Sequence, residues 1–96
     1  MNIEFHPEAA IELNEAVDYY ASRENRLGLD FISKVISSIN RIISYPDAWP
    51  LLGKDIRRCL IKRYPYGILY SIEKERISIV AIMNLNRNPE YWKKRI

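Results

Sequence analysis

Arg57, Arg58, Lys62 and Arg63 crowd a stretch of otherwise apolar and β-branched residues, and Arg87, Lys93, Lys94 and Arg95 follow towards the end of the chain. Guanidinium and ammonium groups at such density offset the charge of phosphates or carboxylates, and the planar arginine fork does so with two parallel hydrogen bonds. On a strand, alternation sends Arg57 and Arg63 to one face and Arg58 and Lys62 to the other. Cations on both sides exclude full burial, because an unpaired buried charge costs several kcal/mol. At least one pair therefore faces solvent or a ligand. An edge strand carrying protective charges would show the same pattern. The further cations in the same half of the chain favour a partner.

The tail adds a second candidate group, in which Arg87 precedes Asn88-Pro89-Glu90-Tyr91-Trp92. Aromatic rings beside arginines can stack on bases or close the edge of a core. Trp92 suits the core edge and Tyr91 the more open position. Cys59 sits among apolar residues and reads as a small buried side chain, not a nucleophile. With a single cysteine and a single histidine, His6, no zinc-ligand set of the usual kind can be assembled. No cofactor is implied, since the three glycines are scattered and form no phosphate-cradling loop. Proton transfer would fall to Tyr, Lys, Arg or carboxylates, which suit neutral pH less well than histidine.

Charge is unevenly distributed. Residues 1–53 carry eight acidic and four basic side chains, whereas residues 54–96 carry four acidic and eleven basic, so a net charge of +3 conceals an acidic first half and a basic second half. Such asymmetry implies an anionic partner for the second half or a solvated surface balancing an acidic helical face. The longest apolar run near the end, residues 79–83, is far too short to span a bilayer. No apolar leader precedes Glu4, and the lone cysteine suits a reducing compartment, so a cytoplasmic location without membrane attachment is expected.

The elements that must position these groups follow from periodicity. Residues 1–5 read as an opening strand stopped by Pro7, which suits the first turn of a helix with His6 as its cap. Glu8 and Glu12 place negative charge near the positive helix end. Ala9, Leu13, Ala16, Val17 and Tyr20 form one buried stripe. Gly28 marks a break before a second helix whose face is built from Phe31, Ile32, Val35, Ile36, Ile39, Ile42 and Ile43, with Ile39 expected among the most buried residues. Pro46 ends that helix, and residues 46–53 read as an irregular segment pinned by Trp49. Residues 56–62, 67–73 and 77–85 read as three strands joined by hairpin-length turns, hence antiparallel. At 96 residues the chain reads as a single α+β domain spanning 1–96. The fold expected is an N-terminal strand and an antiparallel two-helix hairpin packed on a twisted antiparallel sheet.

Several segments together resemble the ParE-like branch of the RelE/ParE superfamily of type II toxins. They are Pro7-Glu8-Ala9, residues 15–20 (Glu-Ala-Val-Asp-Tyr-Tyr), Arg57-Arg58-Cys59-Leu60, residues 64–70 (Tyr-Pro-Tyr-Gly-Ile-Leu-Tyr) and the Arg87 to Trp92 ending. The resemblance covers nearly the whole chain. It implies a toxin held inactive in a hetero-oligomer with a cognate antitoxin, and a target that is either DNA gyrase or messenger RNA on the ribosome. A non-toxic remnant that only binds its antitoxin is the third reading. Target-binding positions implied or suggested are Arg57, Arg58, Lys62, Arg63, Arg87, Tyr91 and Lys93. In a nuclease, Arg58, Arg87 and Tyr91 would be the catalytic candidates. Related chains commonly end the last strand on His where this one has Asn84, which cannot exchange a proton near neutral pH. That difference favours a gyrase poison over a nuclease.

Overall fold

The computed structural model describes all residues, Met1–Ile96. The chain runs β1 (Asn2–Phe5), α1 (Pro7–Arg23), α2 (Asn25–Ser44), β2 (Leu51–Gly53), β3 (Ile56–Leu60), β4 (Tyr66–Glu73) and β5 (Arg76–Asn84), and closes on a 3-10 turn (Tyr91–Arg95). The five strands form one sheet in the order β1-β5-β4-β3-β2. From β5 to β2 every pairing is antiparallel, as the short turns require. β1 joins β5 in parallel, with Phe5 opposite Ile79, so the sheet is mixed at that edge. The three-residue β2 lies in the segment read as irregular. It escapes sequence detection because so short a strand shows no alternation.

His6 turns the chain from β1 into α1, its Nδ1 accepting the Glu8 N–H at 3.1 Å with Pro7 in the first helical position. The hairpin differs from expectation at Gly28. This glycine lies inside α2, which starts at Asn25. A Cβ at Gly28 would stand 2.8 Å from the Ala21 Cβ, so the residue permits a close approach of the two helices and does not interrupt the second. The buried face of α2 is also rotated from the expected one. Phe31, Val35, Ser38 and Ile42 are buried, Ile39 is only partly so, and Ile36 is exposed. Ser38 tolerates burial because its hydroxyl donates to the Lys34 carbonyl at 2.9 Å and accepts from Arg41 at 3.2 Å.

The helices cover one sheet face, where Ile68, Tyr70, Ile77, Ile79 and Ile82 meet Phe31, Val35 and Ile42. Tyr20, Phe31, Tyr64 and Tyr66 interlock at the hairpin end, with Phe31 and Tyr64 edge-on at 5.0 Å between ring centroids. Tyr64 donates to Asp30 at 2.6 Å and thereby fixes the β3–β4 turn to α2. On the other sheet face Ile56, Leu69, Val80 and Met83 form a second cluster, closed by Trp92 of the terminal turn. Trp92 thus caps the core edge as expected. The sheet has its two faces covered unequally: by the full helical hairpin on one side and by a single turn on the other.

Candidate partner-binding site

Glu12 organises the site. It lies on the sheet-facing side of α1 with only 9% of its side chain exposed, and four hydrogen-bond donors converge on its carboxylate. The Ile82 backbone N–H donates at 3.0 Å, the Tyr91 hydroxyl at 2.6 Å and both terminal nitrogens of Arg95 at 2.9 Å. Arg87 forms an ion pair with it at 3.5 Å. Burial by itself would raise the Glu12 carboxyl, but the hydrogen bonds from Arg95, Tyr91 and Ile82 and the Arg95 charge outweigh it and hold it below the usual carboxylate range. Arg95 also donates to the Val80 carbonyl at 3.1 Å. One carboxylate therefore ties α1, β5 and the terminal turn together.

Two guanidinium groups stand over the Tyr91 ring, the Arg87 carbon 3.9 Å and the Arg95 carbon 4.9 Å from its centroid. Burial and the hydrogen bond to Glu12 push the Tyr91 phenol well above its ordinary range, so it serves as a neutral donor. Arg87 differs from Arg95. Its side chain is 54% exposed, and its only polar contact is the long ion pair to Glu12. The ring face supports this guanidinium while leaving its donors without a hydrogen-bond acceptor.

Arg87 lines a cleft of about 600 Å³ between α1 and the end of β5. Glu12, Glu15 and Tyr19 form the helical wall, Pro65 and Tyr66 the hairpin end, and Asn84 and Asn86 the rim beside Arg87. Asn84 uses its side-chain oxygen to accept the Asn86 N–H at 2.8 Å, which shapes the turn that delivers Arg87. No ion pair engages Glu15, whose side chain is exposed on α1.

The other candidate cations are dispersed. Arg57 donates to the Trp49 and Asp47 carbonyls at 2.7 and 3.2 Å and pairs with the Asp47 carboxylate at 3.6 Å, so it holds the α2–β2 segment. Arg58 lies on the opposite sheet face, its stem against Gly67, where a Cβ would stand 3.0 Å from the Arg58 Cγ. β3 stops at Leu60, so Lys62 and Arg63 occupy the exposed β3–β4 turn, Arg63 with φ 74°, and the expected alternation does not reach them. Lys93 projects from the terminal turn and pairs with Glu90 at 2.7 Å. The structure joins Arg87 and Tyr91 in one site and places Arg58 outside it. Sequence reading missed the residues that join them. Glu12 was read as a helix-end charge and Arg95 as one of a basic cluster, and the only sequence signal was the placement of Glu12 within the apolar stripe between Ala9 and Ala16.

A helical hairpin on a sheet, with a polar clasp over the last strand, defines a small α+β protein. The family model for the ParE toxin of type II toxin-antitoxin system, parDE, matches residues 3–89, and the chain belongs to that family. A solved structure described as a chromosomal ParDE TA system from P. aeruginosa has a similar fold, with a TM-score of 0.77 at 16% identity, covering 90% of this chain and 97% of that one. No curated protein sequence matches the chain. No helix is long and apolar enough to cross a membrane.

Proposed function

We propose that this toxin, held in check by a cognate antitoxin, acts in the cytoplasm on DNA gyrase as a binding poison that performs no bond chemistry of its own. The observation that carries this reading is the state of Tyr91. Its hydroxyl is committed to Glu12 and its ionisation is pushed far from neutrality. General acid–base catalysis works best with a group that titrates near the working pH. His6, the sole histidine, caps α1 and lines no part of the cleft. What the surface offers a target is cations and hydrogen-bond donors: Arg87 in the cleft, Arg58 on the far sheet face, and Lys62, Arg63 and Lys93 at the margins. Arg57 and Tyr91 contribute by holding neighbouring segments in place.

The test is induced expression followed by two readouts in the same cells, plasmid topology and transcript integrity. Growth arrest with altered supercoiling and intact transcripts is expected, and Arg87→Ala relieves the arrest while the protein stays folded. Tyr91→Phe, which keeps the ring under the two guanidiniums, retains most of the activity. Ribosome-dependent transcript cleavage that falls sharply with Tyr91→Phe would replace this reading with the nuclease one.

A further inference from the structure

We infer that the cleft between α1 and the end of β5 is a docking site for a segment of the antitoxin that presents one carboxylate side chain, received by Arg87. The antitoxin is the one partner that family membership supplies, and the inference rests on that pairing, not on the gyrase reading.

Three features of the cleft define its occupant. The first is Arg87. Its guanidinium is half exposed and stacked at 3.9 Å on Tyr91, and no hydrogen bond is formed by any of its nitrogens. A planar fork resting on an aromatic ring with free donors is prepared for a carboxylate, because the contact reduces the side-chain entropy left to be lost on binding. Glu12 fixes the position of that ring by holding Tyr91 and Arg95 in place, so it acts as a positioning residue in this site.

The second feature is the wall. Tyr19, Pro65 and Tyr66 give the cleft apolar and aromatic surface beside the cation. An acidic side chain carried on a peptide with apolar neighbours satisfies both parts, as a free anion would not. The third feature is the unpaired negative charge of Glu15 on the α1 wall, Glu12 being matched by Arg95 and Arg87. Glu12 and Glu15 both line the cleft, and Glu15 has no cationic partner. A nucleic-acid strand would bring successive phosphates towards the unmatched Glu15, and like charges in close approach are repelled. The cleft is therefore suited to a protein segment and set against a polyanion, although the second half of the chain is basic as a whole.

The experiment uses the intact chain with the antitoxin encoded beside it. Dissociation constants are measured for the native protein and for Arg87→Ala, each against the native antitoxin and a set of antitoxins with single Asp→Asn or Glu→Gln changes. Arg87→Ala should weaken the complex about ten- to a hundredfold, the range for hydrogen bonds between charged groups. One acidic position of the antitoxin should show a comparable loss against the native protein and almost none against Arg87→Ala, the non-additivity that marks a direct pair. Arg87→Lys should recover part of the affinity, and the melting curve of each variant reports its fold. In a parallel arm, retention of a single-stranded oligouridylate at low salt should rise on Glu15→Gln. An affinity indifferent to Arg87→Ala in a folded variant, or the absence of any coupled acidic position, would overturn the inference. So would oligouridylate binding by the native protein that depends on Arg87. Gyrase enters none of these measurements, so the target assignment stands or falls separately.

Discussion

A carboxylate with 9% exposure survives inside the fold only because its charge is matched by hydrogen bonds that water would otherwise provide, and Glu12 has such a set in Ile82, Tyr91 and Arg95. Glu12→Gln keeps the shape but leaves Arg95, itself 12% exposed, without its counter-charge. A loss of about 3 kcal/mol at neutral pH is expected, as for other broken buried pairs. The pH dependence has a definite sign. The folded-state pKa of Glu12 lies below its unfolded value, so the clasp contributes fully above the unfolded value and fades as pH falls through the folded one. Urea unfolding of the two proteins should therefore differ most near neutrality and converge in acid. A gap that stays constant down to about pH 3, below the ordinary carboxylate range, would assign the loss to packing and not to charge. Tyr64 and Tyr70 behave differently. Burial pushes both phenols up to about 12, with the Asp30 hydrogen bond adding to the effect for Tyr64, so neither changes charge across the physiological range.

At the scale of elements, the crossing of α1 and α2 depends on Gly28. Replacing glycine by alanine within an exposed helix usually stabilises it by about 1 kcal/mol. Here the new methyl would meet Ala21 at 2.8 Å, and overpacking of that kind costs about 1–3 kcal/mol. Gly28→Ala should therefore lower the melting temperature, and Ala21→Gly in the same chain should restore part of it. Additive losses in the double variant would show that contact at the crossing is not the cause. Truncation of the α2 face should follow burial and not hydrophobicity. Ile42→Ala should cost about 2–5 kcal/mol, and Ile39→Ala clearly less. These two positions mark what the sequence can convey. Apolar spacing identified both helices and the three long strands, because burying one face of an element imposes its period. It did not fix the helix rotation, since the stripe from Phe31 to Ile43 is wide enough for two rotations and Ser38 was not expected inside. Gly28 read as a break because a glycine that admits a neighbouring helix and one that ends a helix look alike in one dimension. The clasp was less legible still. Glu12 and Arg95 stand 83 positions apart, and no local pattern connects them.

For the whole molecule the decisive property is the arrangement of charge. The exposed side of α1 carries Glu8, Glu15 and Asp18, while Lys54, Lys62, Arg63, Lys93 and Lys94 are exposed on the turns and tail of the sheet half. Much of the +7 balance of residues 54–96 is thus displayed to solvent, although Arg57 and Arg95 are largely buried against carboxylates of residues 1–53. A field of this form steers an acidic partner during diffusion, and it acts mainly on the rate of association, not on the lifetime of the complex. Steering is lost once the screening length, about 10 Å at 0.1 M salt and about 3 Å at 1 M, falls below the separation of the approaching surfaces. The association rate with the antitoxin should therefore fall by about ten- to a thousandfold over that span, the usual extent of electrostatic steering, with little change in dissociation. Lys62 and Lys94 are exposed and form no ion pair, so Lys62→Glu combined with Lys94→Glu alters the field without disturbing the clasp. That variant should associate more slowly at low salt and match the native rate at high salt, in stopped-flow measurements on the two proteins. Parallel salt profiles, or a difference confined to dissociation, would mean that these cations touch the partner directly and do not act through the long-range field.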